Sequence, residues 1–336
     1  MALRSLLNLM SDRLVTLPLL ILYLTDGCNS RCVTCDIWRN PRRNMPLSLA
    51  RALAEAVDAV GVRWVLLSGG EAMQHPEWPA IAAMFHERGV RVLLLTNGLL
   101  VRRQAEAVAQ VVDELYVSLD AATPALYAAI RGVDAFDLVL EGIQQVSAAG
   151  VPVTTRTTVQ RRNYQQMPQI ADAALAAGAR SVSYLAVDTS SQIAFGARAD
   201  DPSGDALSAA DCDALAGVLD DFERSHAAQF ASGQIAESPA KLRRILLHYF
   251  RRDAAYTPPR CNAPRLSVVV ECDGTIRPCY FLPAVGRLTP SGEPIGRVVN
   301  GQAAQALRAA VRQGQRPECE RCVCPLYMGA RALVRM

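Results

Sequence analysis

At 336 residues, with 51% hydrophobic and 20% charged side chains, the chain can build one large core or a large domain with a smaller appendage, and its composition excludes a disordered or tail-like protein. Lys and Arg number 35 against 32 for Asp and Glu, and that excess of +3, spread along the sequence, gives no basis for nucleic acid or an anionic membrane as partner. No apolar run reaches the roughly 20 residues of a transmembrane span and no secretory signal is recognisable, so the expectation is a cytoplasmic protein with no transmembrane segment.

Residues 3–10 predict a short amphipathic helix, lying on the body of the protein or at a membrane surface. Residues 20–24 are the first strand, followed by a helix from Ser48 as N-cap to Gly61 as its closing residue. Residues 64–68 are the second strand, and Pro76 opens the next helix, which Gly89 ends. The third strand is 90–96 and the fourth 114–119. Thr123 and Pro124 read as a cap and first helical position, and a further helix runs over 136–150. The fifth strand is 151–159, with a helix stopping at Gly178, and the sixth is 181–187. Six strands with intervening helices imply an α/β fold with a parallel sheet and right-handed crossovers. Periodicity alone leaves open whether that sheet is doubly wound or an incomplete barrel.

A polar stretch over 191–206 reads as a loop, with helices at 209–222 and 239–251. Beyond Cys261 the character changes, as residues 266–270 and 275–277 flank Asp273-Gly274 in a hairpin signal. Residues 303–311 read as a short helix. The expected organisation is therefore three parts: 15–190, a helical linking region at 191–260, and a small α+β domain at 261–330.

Ten cysteines in a chain with no address for an oxidising compartment argue for metal sites over disulfides. They fall in two groups separated by a nearly cysteine-free middle. Cys28, Cys32 and Cys35 lie in a polar loop directly after the first strand, where parallel α/β folds bind ligands. Three thiolates hold three irons of a cubane and leave the fourth open to chemistry. A structural zinc would need a fourth ligand from elsewhere. Cys261 and Cys279 bracket the hairpin, and Cys319 and Cys322 form a C-x2-C knuckle, which together make a closed four-thiolate site suited to zinc or to a 4Fe-4S cluster.

The C-x3-C-x2-C loop after the first strand resembles the signature of the radical S-adenosylmethionine (radical SAM) superfamily. The resemblance extends through Val187 and implies a partial (β/α)6 TIM-like barrel. It implies a 4Fe-4S cluster on Cys28, Cys32 and Cys35 whose open iron takes the amino and carboxylate groups of S-adenosylmethionine. Thr34 stands where an aromatic residue near the adenine is usual, with Ile37 or Trp38 as substitutes. Gly69-Gly70-Glu71, ending the second strand, resembles the family segment that meets the methionine ammonium, although Ala72 replaces the usual proline. By the same resemblance Thr96 and Asn97, Ser118 and Asp120, and Arg156 and Asn163 are cofactor-binding candidates at the ends of strands three to five, Arg156 for the methionine carboxylate or a substrate acid.

The second cysteine group resembles the auxiliary-cluster extension of radical enzymes, the SPASM domain, and in particular its shortened twitch form. That implies a second, auxiliary 4Fe-4S cluster on Cys261, Cys279, Cys319 and Cys322, with Cys324 an alternative to Cys322 and Arg277 beside the site. Cys272 is surplus and Cys212 a buried helical thiol. The implied activity is removal of a hydrogen atom from a small-molecule substrate such as a sugar or cyclitol by a 5′-deoxyadenosyl radical, ending in dehydrogenation. Tyr184 and Asp188 are substrate-side candidates, and a flavodoxin- or ferredoxin-type protein is the expected electron donor. Epimerisation with a cysteine hydrogen donor, peptide modification and a noncatalytic metal-binding scaffold are the alternatives; the absence of a leader-binding domain before the first strand is expected to disfavour peptides.

Overall fold

The computed structural model describes residues 2–188, 191, 204–252 and 256–329. In chain order it begins α1 (Ala2–Leu7), β1 (Leu19–Thr25), α2 (Leu47–Glu55), α3 (Val57–Val60), β2 (Trp64–Gly69), α4 (Trp78–His86), β3 (Arg91–Thr96), α5 (Ala105–Val111) and β4 (Glu114–Ser118). It continues α6 (Pro124–Arg131), α7 (Phe136–Ala148), β5 (Val153–Val159), α8 (Met167–Ala176), β6 (Ser181–Ala186), α9 (Ala209–Ser225), α10 (Ala227–Ser232), α11 (Pro239–Leu242) and α12 (Tyr249–Arg251). The last elements are β7 (Ser267–Val270), β8 (Thr275–Arg277), β9 (Gly286–Arg287), α13 (Ile295–Val298), α14 (Gln302–Arg312) and α15 (Pro317–Glu320). The polar loop expected over 191–206 falls mostly outside the described residues.

The chain divides into two compact units, one drawn from residues 1–28, 39–94 and 258–336, the other from 29–38 and 95–257. In the first unit β1 runs parallel to β2 on one side and to β7 on the other, with Leu19 opposite both Trp64 and Ser267. A strand flanked on both edges and covered on both faces must be apolar throughout, which is why residues 19–24 read as an unbroken hydrophobic run. Leu22 and Leu24 have no exposed surface, and each such side chain contributes about 1.5–3 kcal/mol relative to exposure. β3 extends the sheet beyond β2 in parallel, while β8 and β9 continue antiparallel from β7. The C-terminal cysteine segment is thus built on the first strand.

Three local expectations change in this unit. The helix expected to have Ser48 as its N-cap starts two residues earlier, with extended Pro46 at its N-cap and no side-chain cap, because the fixed φ of proline already sets the entry. It then breaks into α2 and α3 before Gly61 closes it in the left-handed conformation. The proline in the first turn of α4 is Pro79 and not Pro76. α1 lies on the body, held beyond its end by Asn8, whose side-chain amide donates to the carbonyls of Thr16 and Arg265 at 2.7 and 2.8 Å.

In the second unit β4, β5 and β6 are parallel neighbours. Their helices bury one stripe each, with Tyr127 and Ile130 of α6 and Val139, Ile143 and Val146 of α7 fully enclosed. Thr123 caps α6 through the Leu126 N–H, with Pro124 at the first position, as the sequence predicts. α5 has no counterpart in the sequence reading.

Candidate active site

The cysteine loop starts where β1 ends. The Gly27 N–H donates to Thr25 Oγ1 at 3.0 Å, and the end of β2 closes on the same turn: Gly70 N–H donates to the Thr25 carbonyl and Glu71 N–H to the Gly27 carbonyl, both at 2.8 Å. A β-carbon at Gly69 would lie 2.5 Å from Thr25 O, and one at Gly70 would lie 2.3 Å from Gly27 O; φ at Gly69 is +126°. These glycines therefore allow backbone to meet backbone. Glu71 is buried, and its Oε1 accepts from the Met73 N–H at 3.0 Å, capping a short turn over Ala72–Gln74.

The remainder of the loop is fixed within the second unit. Asn97 Nδ2 donates to Asn29 Oδ1 at 2.7 Å, while Asn97 Oδ1 accepts from Leu99 N–H and Thr96 Oγ1 accepts from Gly98 N–H. Arg31 N–H donates to Arg131 O and Val33 N–H to Ile130 O, both at 3.0 Å, so the loop satisfies carbonyls that the end of α6 leaves without helical partners. Gly132 permits this contact, since its β-carbon would sit 2.5 Å from Arg31 O. Cys32 and Cys35 are joined by a tight turn, the Cys35 N–H donating to Cys32 O at 3.3 Å. Both are half-buried, as is Thr34 between them.

Asp120, 2% exposed, forms an ion pair with Arg131 at 2.9 Å and accepts the Thr158 N–H at 2.7 Å. Asn163 has no exposed surface; its Nδ2 donates to the carbonyls of Asp120 and Thr158, and its Oδ1 accepts from Gln160 N–H. Every hydrogen of that amide is engaged by backbone. Ser118 lies opposite Arg156 in the β4–β5 register, and the Arg156 guanidinium rests 5.6 Å from the Tyr116 ring centroid with its Nε unpartnered. Tyr184 is a packing residue: its hydroxyl donates to Met167 O at 2.7 Å and its ring meets Phe222 edge-on. Asp188 is buried and accepts from Ser191 N–H.

Sequence reasoning missed Arg131. Burial alone would lower the pKa of its guanidinium, but the negative neighbours Cys32 and Asp120 outweigh that and hold it well above the ordinary arginine value. Its Nε is buried and unpartnered. The Arg-Gly pair ending α6 was its one available signal.

The C-terminal cysteines gather within the first unit. Asn262 ties the Cys261 segment to the chain after Cys324: its N–H donates to Leu326 O, its Nδ2 to Met328 O, and its Oδ1 accepts from Met328 N–H. Cys261 lies within electrostatic reach of Cys279, Cys319, Cys322 and Cys324. Burial first, and then neighbouring thiols, push Cys279 up to about 12 and Cys319 up to about 11 and raise Cys261 and Cys322 as well. Backbone N–H groups point at the sulfurs, Ala263 to Cys261 at 3.4 Å and Phe281 and Leu282 to Cys279. Cys272 stands apart, buried and hydrogen-bonded to Asp26. Cys212 is enclosed in α9 as expected, and Arg277 pairs with Glu271 at 2.5 Å. Among the described residues no three Cys, His, Asp or Glu side chains close to metal-ligand spacing.

The radical SAM superfamily description matches residues 22–174, and that of the SPASM iron-sulfur cluster-binding domain matches 261–323. The chain carries a radical SAM domain on the partial (β/α)6 barrel. Its C-terminal part carries a SPASM iron-sulfur cluster-binding domain. AdoMet-dependent heme synthase of Methanosarcina barkeri is 32% identical over 162 residues, 46% of each chain. PqqA peptide cyclase of Streptomyces rochei is 31% identical over 180 residues, 51% of this chain and 48% of that one. The chain thus spans about half the length of these curated relatives. Streptococcus suis SuiB, solved bound to S-adenosylmethionine, shares the fold with a TM-score of 0.66 at 14% identity, over 96% of this chain and 76% of that one.

These domains imply a 4Fe-4S cluster with S-adenosylmethionine, and auxiliary iron-sulfur binding at the C-terminal cysteines. The residues present fit both. Half-buried thiols that repel one another as anions, with N–H groups aimed at sulfur, are a donor set that multivalent iron stabilises. Beside Cys32, the buried Nε of Arg131 is a donor without an acceptor, which an anionic cluster would supply.

Proposed function

We propose that Cys28, Cys32 and Cys35 hold a 4Fe-4S cluster whose fourth iron takes S-adenosylmethionine, and that the enzyme dehydrogenates a small metabolite of the sugar or cyclitol kind. When bound, cluster and cofactor supply a one-electron cleavage that yields a 5′-deoxyadenosyl radical able to take a hydrogen atom from the substrate. The observation carrying this reading is that each of these parallel strands ends in a polar segment: the cysteine loop after β1, Gly69-Gly70-Glu71 at β2 and Thr96-Asn97 at β3, and, on the β4–β5 pair, Ser118 to Asp120 at β4.

In this reading Glu71 compensates the methionine ammonium, and Asn97 holds Asn29 and with it the loop. Ser118 and Arg156 meet the methionine carboxylate, for which the unpartnered Nε of Arg156 leaves a donor. Asp120 and Asn163 support the site from behind through Arg131, Thr158 and Gln160. Cys261, Cys279, Cys319 and Cys322 hold one auxiliary 4Fe-4S cluster, with Cys324 the alternative to Cys322. A cluster held by those four cysteines would have no open iron and would supply an acceptor for the second electron, a base taking the proton in a two-hydrogen oxidation. A flavodoxin- or ferredoxin-type donor delivers the first electron.

The test is anaerobic reconstitution, reduction with dithionite, and assay for deoxyadenosine and methionine. Both are expected in equal amounts; their absence from protein loaded with iron and sulfide overturns the reading. Deuterated candidate metabolites should pass label into deoxyadenosine, and the unlabelled substrate should lose two hydrogens, two mass units. The similarity to PqqA peptide cyclase favours a second reading, in which the C–H bond belongs to a peptide, and transfer of label from a deuterated peptide but not from any metabolite would select it.

A further inference from the structure

The buried Asp120–Arg131 pair lies behind the cysteine loop, and three features of it point to one role. First, the residue is held at both side chain and backbone: one guanidinium nitrogen donates to Asp120 Oδ2 at 2.9 Å, and its carbonyl accepts the Arg31 N–H. Second, the ion pair is nearly dry, its side chains 11% and 2% exposed, so its charges act with little solvent screening. Third, the Nε hydrogen makes no hydrogen bond in the protein, while the residues on either side of Cys32 are bound to the end of the same helix, Arg31 N–H to Arg131 O and Val33 N–H to Ile130 O, both at 3.0 Å. A buried donor is seldom left unsatisfied.

We propose that Arg131 sets the reduction potential of the first iron-sulfur cluster by directing its buried N–H and positive charge at the Cys32 sulfur, with Asp120 trimming that charge. The inference rests on the cysteine assignment of the preceding section. The step concerned is addition of one electron from a low-potential ferredoxin- or flavodoxin-class donor to the oxidised cluster, with no bond formed or broken. A cation or an N–H···S hydrogen bond stabilises the extra electron and raises the potential. A carboxylate 2.9 Å from the guanidinium opposes that effect. Arg131 and Asp120 therefore work in opposite directions on the same equilibrium, a signature that a purely structural ion pair does not have.

The experiment is a potentiometric titration of reconstituted holoenzyme with dithionite, followed by electron paramagnetic resonance. The signal of the first cluster is defined as the part missing from protein with Cys28, Cys32 and Cys35 all changed to Ala. In Arg131→Gln the ratio of reduced to oxidised first cluster at the wild-type midpoint should fall about tenfold, a negative shift of about 59 mV for one electron. Arg131→Lys, which keeps the charge but not the fork, should lie between this variant and wild type. Asp120→Asn should shift the midpoint the other way. Unchanged midpoints in Arg131→Gln and Asp120→Asn with full iron content overturn the inference. Where Arg131→Gln fails to load iron, Asp120→Asn decides, and a midpoint that stays or falls overturns it. Retention of all iron and signal in the triple cysteine variant would instead refute the cysteine assignment itself.

Discussion

The amide of Gly70 donates to the carbonyl of Thr25, and its Cα faces the carbonyl of Gly27 so closely that a methyl group there would lie 2.3 Å from the oxygen. The end of β2 is therefore the clamp that sets where the cysteine loop leaves β1.

Gly70→Ala should force the clamp apart. Overpacking against backbone costs about 1–3 kcal/mol, and the displaced loop should bind iron poorly. Thermal unfolding of the metal-free protein is expected to show the lower midpoint, and iron analysis after reconstitution is expected to show selective loss of the first cluster.

Asn163→Ala removes three hydrogen bonds from a site with no exposed surface. Each buried polar group left unsatisfied costs about 1–3 kcal/mol, so the denaturant midpoint should fall clearly. Ser118→Ala, at a half-exposed position, should leave that midpoint unchanged and weaken S-adenosylmethionine binding instead. Equal stability losses in the two variants, with no change in binding, would contradict the roles assigned to them.

Cys272 and Cys279 lie on either side of β8 but belong to different surroundings. Cys272→Ala should keep the full iron content, because its thiol faces Asp26 with Arg43 and Asp273 nearby. Cys279→Ala and Cys319→Ala should each lose the auxiliary cluster, about four irons per chain. Quantitative iron and sulfide analysis separates the outcomes.

The metal-free protein should show a pH dependence from the same thiols. Burial raises Cys279 to about 12 and Cys319 to about 11 in the folded chain, against about 8.5 for an unperturbed cysteine. The folded state then holds protons that the unfolded state releases, so stability is present below about pH 8.5 and is lost as the pH rises toward 11 and 12. Iodoacetamide at pH 8 should modify Cys279 and Cys319 only after denaturation, as read by mass spectrometry.

Much of this fold is legible residue by residue. Thr123-Pro124 gives α6 its start, since capping depends on neighbours within one turn. Asp273-Gly274 likewise marks the turn between β7 and β8, which pair antiparallel. Ser48 misled because a serine before an apolar run is indistinguishable from a cap until the conformation of Pro46 is seen. The glycines of Gly69-Gly70-Glu71 are visible in sequence, but their contact surface is not. Sequence suggested a ligand; the packing presents Thr25 and Gly27 backbone.

Sequence by itself determined the strand-and-helix series and the positions of the two cysteine groups, because periodicity, capping and thiol spacing are properties of residues close along the chain. Tertiary structure decided that β7 joins β1, that Cys272 turns to Asp26, and that Arg131 comes to lie by Cys32. Those partners are separated by tens to hundreds of positions, and only the burial of complementary faces brings such residues together.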